Sequence, residues 1–79
     1  MIRMSKKTKL VPAEIIKRAY NYFETGIGLS EKRRNPCCIL FEGSGGYVSV
    51  NLIEEDKHQV VEAEGREWEY QVKEFMDRL

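Results

Sequence analysis

Three β-compatible runs, residues 37–42, 47–53 and 58–64, are separated by links of only four residues each. A link that short cannot carry a crossover, so consecutive runs must pair antiparallel, as a meander. In the second run Val48, Val50 and Leu52 alternate with Tyr47, Ser49 and Asn51. In the third, Val61 and Ala63 alternate with Glu62 and Glu64. Each of these strands therefore has one apolar and one polar face, and the apolar faces need a cover.

The cover is supplied on either side of the strands. Ile15, Ile16, Ala19, Tyr20 and Phe23 recur at helical spacing behind Pro12, which suits a first helical turn because its missing N–H is harmless there. Gly26 offers this helix a left-handed stop. After Gly65, the residues Trp68, Val72, Phe75, Met76 and Leu79 mark a second amphipathic helix. The fold class expected is α+β, a two-layer α-β-β-β-α arrangement with a three-stranded antiparallel meander and two helices on one face. Residues 1–10 lack clear periodicity and read as a flexible basic arm, leaving residues 11–79 as a single small domain.

The run 37–42 breaks the pattern. Cys37, Ile39 and Phe41 fall on one side and Cys38 and Leu40 on the other, so it is apolar on both. In a simple meander it lies at the sheet edge, where unpaired backbone groups invite a further strand. Cys37, Ile39 and Phe41 are accordingly candidates for a self-association seam. The alternative is that the basic arm, or the segment holding Ile27 and Leu29, folds over that strand.

Charge adds a second reason to expect association. Residues 1–41 hold nine basic and three acidic residues, and residues 42–79 hold four basic and ten acidic. The halves carry +6 and −6 and cancel to zero. A chain of 79 residues has a small core, for which partners commonly add stability. A homodimer joined by the edge strand or by complementary basic and acidic surfaces is the leading expectation. Nucleic acid is the second candidate partner, with Arg3, Lys6, Lys7 and Lys9 on the arm, Lys32, Arg33 and Arg34 in a loop, and Tyr47 offering a ring for stacking. A zero net charge opposes that second reading, and the basic arm could equally pair with the acidic half.

No motif for catalysis, cofactor or metal emerges, and no small-molecule substrate is evident. The segment from Gly43 to Gly46 has the glycines of a phosphate loop, but it leads into a strand rather than a helix, and a hairpin turn accounts for it. His58 is the only histidine and opens the third strand, while Cys37 and Cys38 open the first, so a Cys–His pair is not expected. Acidic residues 54–56 lack the glycine and alternation of a calcium loop. The protein therefore reads as non-enzymatic. Adjacent cysteines in a strand point to opposite faces and read as two reduced thiols, which suits the cytoplasm. No apolar stretch is long enough to cross a membrane.

Overall fold

The computed structural model describes residues 1–79. It contains five strands: β1 (Ile2–Thr8), β2 (Ser30–Asn35), β3 (Cys38–Gly43), β4 (Gly46–Glu55) and β5 (His58–Arg66). Helix α1 (Pro12–Ala19) follows β1 and runs on as a π-helical segment, Tyr20–Ile27. Helix α2 (Glu69–Asp77) follows β5. All five strands form one antiparallel sheet in the order β1-β5-β4-β3-β2. The α+β class and the β3-β4-β5 meander are as expected, and the sheet is two strands wider.

Both extra strands lie where the sequence suggested irregular chain. Residues read as a flexible arm form β1, paired with β5 over seven positions from Ile2 opposite Gly65 to Thr8 opposite Gln59. Residues read as a basic loop form β2, paired with β3 and interrupted by a bulge between Glu31 and Arg33. The strand built from residues 38–43 is consequently not an edge. It lies between β2 and β4, and its edge backbone groups are already hydrogen-bonded.

Both helices pack against one face of the sheet. That face contributes Ile39 and Phe41, then Val48, Val50 and Leu52, then Val61 and Ala63, all buried. Ile15, Ile16, Ala19 and Phe23 from the first helix, with Val72, Phe75 and Met76 from α2, complete one contiguous apolar cluster. At its centre the rings of Phe23, Phe41 and Phe75 meet at centroid separations of 5.1 to 5.4 Å, in tilted geometry. Helix α2 approaches β5 closely because Gly65 has no side chain; a Cβ there would collide with Val72.

The turns carry the expected chemistry, with one shift. Ser44 and Gly45 have φ of 51° and 81°, the two positive values of a type I′ hairpin turn. The stop of the first helix is Gly28, at φ 99°, rather than Gly26. π-Helical hydrogen bonding carries the chain past Gly26, and Gly28 then donates to the carbonyls of Phe23 and Glu24. The cysteines also depart from expectation. Cys37 sits in the turn between β2 and β3, off the strand, and its side chain is joined to Cys38 as a disulfide. Strand alternation does not apply to a residue in a turn, so the two reduced thiols on opposite faces do not occur, and the cytoplasmic argument drawn from them lapses. No helix is long and apolar enough to cross a membrane.

Candidate interaction surface

Because both helices lie on one side, the other face of the five-stranded sheet has no cover. The register sets its composition. Arg3, Glu64, Ser49, Leu40 and Arg33 form one row across the sheet, and Ser5, Glu62, Asn51, Cys38 and Asn35 form the next. Residues facing one another across antiparallel strands share a face, and those on β3, β4 and β5 alternate with buried neighbours. Arg33, Asn35, Cys38, Leu40, Ser49 and Asn51 border a shallow depression of about 270 Å³.

Charge on this face follows the strand order. The outer strands supply the cations, Arg3 and Lys7 on β1 and Arg33 on β2, and the three strands between them supply carboxylates: Glu62 and Glu64 beside Arg66 on β5, Glu55 on β4 and Glu42 on β3. The cations of β1 on this face are neutralised within the chain, by β5 and β4. Glu64 accepts from Arg3 Nη2 at 2.7 Å and from the Tyr47 hydroxyl at 2.5 Å. The Tyr47 bond and then Arg3 hold the Glu64 carboxyl below the usual glutamate range, while the bond to Glu64 raises the Tyr47 hydroxyl. Lys7 Nζ lies 3.7 Å from Glu55. The opposed halves of the sequence thus meet as adjacent strands. Across the sheet the pattern changes: neither Arg33 on β2 nor Glu62 on β5 forms an ion pair.

The residues considered for nucleic acid are dispersed by this fold. Arg3, Lys6 and Lys7 belong to β1, and Lys32, Arg33 and Arg34 to β2, on opposite edges of the sheet. Four interstrand steps of about 4.8 Å separate the two edges by about 19 Å, so the two groups do not form one clamp. Lys6 Nζ donates to the carbonyl oxygen of Met76, and Arg34 pairs with Glu31 at 2.8 Å. Lys9, Lys32 and Arg33 have no ion-pair partner. Tyr47 is on the uncovered face but is tied down through its hydroxyl.

The self-association candidates are likewise redistributed. Ile39 and Phe41 are 2 % and 0 % exposed, beneath the helices, so neither offers a surface to a partner. Cys37 is exposed at the turn, and Cys38 and Leu40 lie on the uncovered face. Sequence reasoning named the buried members of this strand and passed over Leu40. Alternation against Ile39 and Phe41 was the available signal for it.

Two further concavities lie on the helical side. One, of about 530 Å³, is bordered by Tyr22, Ile27, Phe75 and the two guanidiniums of Arg18 and Arg78. The other is an open groove of about 1020 Å³ between α1 and β2. No group of three or more His, Cys, Asp or Glu side chains is placed to hold a metal ion. Neither a protein-family model nor a curated protein matches this chain.

Proposed function

We propose that this protein is a non-enzymatic interaction domain that pairs with a second copy of itself across the uncovered face of the sheet. The observation that carries the reading is that this face leaves Arg33 on one flank and Glu62 on the other without an ion-pair partner inside the chain, as it does Glu42 and Arg66 in a neighbouring row. A two-fold axis running along the strands lays β2 of one copy over β5 of the other. The same rotation stacks β3 on β4 and repeats the β2–β5 contact, the self-complementary arrangement of a closed dimer. Arg33 then stands in the row of Glu64, which Arg3 and Tyr47 already hold, and its long side chain reaches one row along β5 to Glu62, a diagonal contact made twice; Leu40 and Cys38 are covered against Ser49 and Asn51. Aligned sheets pack about 10 Å apart, a spacing these short and medium side chains fill.

Edge-to-edge association is disfavoured by the same charges. Both edge strands are basic, β1 with Arg3, Lys6 and Lys7 and β2 with Lys32, Arg33 and Arg34. Joining two copies by their edges brings cations against cations, a device that keeps sheets from polymerising.

The test is molar mass by light scattering across a dilution series, on the wild type, Arg33→Glu, Glu62→Arg and the double variant. The dimer is expected to dissociate in each single variant, to return in the double variant, and to weaken as salt screens the pairs. A wild type that stays monomeric, or single variants that dimerise as well as it does, overturns the reading.

A further inference from the structure

The first helix lies over the middle of the sheet and leaves the helical side of β2 open, so a groove of about 1020 Å³ runs between them. Its helix wall is Pro12, Ile16 and Lys17, with Tyr20 beyond; its strand wall is Arg34, followed by Pro36. The Arg34 guanidinium lies 5.4 Å from the centre of the Tyr20 ring and donates to Glu31 at 2.8 Å. A cation held between a ring and a carboxylate has little rotameric freedom left to lose on meeting an anion. Lys17 sets a second positive charge across the groove, and Glu31 is the single carboxylate lining it.

Beside this groove runs the free edge of β2. Only β3 pairs with it, and in an antiparallel strand alternate residues direct their N–H and C=O groups away from the existing neighbour; the Glu31 N–H is taken by the Glu24 carboxylate, so the open stretch is 33–35. An extended chain laid along that edge satisfies those groups and sends every second side chain toward the groove, as in strand addition. The occupant is selected by charge. β2 carries Lys32, Arg33 and Arg34 against Glu31. A second β2 is repelled, and a basic or neutral peptide leaves Lys17, Lys32 and Arg33 unmatched, whereas an acidic one matches them and adds a second carboxylate to Arg34, which already pairs with Glu31.

We propose that β2 accepts an acidic extended peptide segment of a partner protein as a sixth strand, with alternate side chains of that segment seated in the groove between α1 and β2. The site is distinct from the uncovered face and does not require the dimer.

The probe is a labelled short peptide alternating glutamate and valine, titrated by fluorescence anisotropy into the full chain carrying Glu62→Arg, so that the proposed dimer does not contribute. Saturable binding is expected, with loss of at least tenfold in affinity for the lysine-valine counterpart and for the Lys17→Glu/Arg34→Glu variant. The peptide N-methylated on the amides of one edge is expected to lose binding, and the peptide methylated on the other edge to retain it. This control leaves the protein unaltered, so a misfolded variant cannot mimic it. On binding, amide exchange is expected to slow within 33–35. Equal binding of acidic and basic peptides, indifference to methylation on both edges, or no saturation overturns the proposal. So does binding of a single-stranded oligonucleotide in place of the peptide, which assigns the cations to phosphates instead. Failure of the dimer with success of this titration, or the reverse, separates the two readings.

Discussion

The ammonium of Lys6, on the edge strand β1, donates to the carbonyl oxygen of Met76, in the last turn of α2, at 3.0 Å. Lys6 stands opposite Val61 in the sheet and so belongs to the buried side, with its aliphatic stem half covered and its charge delivered to a helix C-terminus. The last carbonyls of a helix lack intrahelical donors and carry the negative end of its dipole, so a cation is favoured there.

Replacing Lys6 with methionine keeps the stem and removes the bond. The expected loss is about 1.5 kcal/mol, the range of a hydrogen bond to a charged group. Urea denaturation measures it, and amide exchange locates it at the C-terminal turn of α2. An unchanged midpoint would show that the contact contributes nothing.

β3 offers a paired comparison between neighbouring residues of opposite orientation. Phe41 is fully buried between Phe23 and β4, and Phe41→Ala is expected to cost about 3–5 kcal/mol as the cavity is left behind. Leu40 faces the uncovered side, and Leu40→Ser is expected to change monomer stability by about 0.5 kcal/mol or less while weakening self-association. Thermal melts at low concentration and dilution-series molar mass separate the two effects. A large stability loss in Leu40→Ser would mean that its face is not free.

The pH dependence follows from three carboxylates and three phenols. Glu64 is held low by Tyr47 and then Arg3, Glu74 by Tyr22 and then Tyr70, and Glu69 by backbone N–H donation and the amino terminus. A carboxyl whose pKa is lower in the folded state stabilises the fold above its unfolded value, about 4.3, and the contribution is lost as pH falls through the folded value. The hydroxyls of Tyr22, raised mainly by burial, and of Tyr47 and Tyr70, raised mainly by bonds to glutamate, act at the other limb. Their contribution is complete below about pH 10 and is lost as pH rises through the folded values. A stability plateau between about pH 5 and 10 is expected, with Glu64→Gln flattening the acid limb. Urea midpoints that run parallel for the two proteins from pH 7 down to 3 would remove Glu64 from this account.

What the sequence made legible was what hydropathy controls. The faces of β4 and β5 follow from strict alternation, and the buried residues of α2 from helical spacing. β1 was obscured by Lys6: Ile2, Met4 and Thr8 alternate correctly, but a charged residue fills the remaining inward position because its ammonium reaches a helix end. β2 holds no apolar residue at all, and only pairing with β3 makes it a strand. Helical spacing places Tyr20 in the core stripe, yet it is Tyr22 that packs on Phe23 and Phe75, while Tyr20 holds Arg34. A π-helical segment begins at Tyr20 and turns successive side chains through a smaller angle than the α-helical spacing assumes. The uncovered face was legible residue by residue, but the placing of its cations on the outer strands depends on the strand order, which alternation does not encode.

That strand order also sets a sequence of events. Pairing of β2 through β5 closes only short turns, whereas β1 joins a strand more than fifty residues away along the chain, and loop closure over that distance costs more than a hairpin does. β1 therefore docks after the meander exists, as a latch rather than a nucleus. Met4→Ala, in the middle of that latch, is expected to speed unfolding several-fold and to leave the refolding rate nearly unchanged. Slowed refolding in stopped-flow would place β1 in the nucleus instead. A last-docking latch also means that opening first bares the edge of β5, where Glu62 and Glu64 set like charges against a second such edge until the basic strand returns.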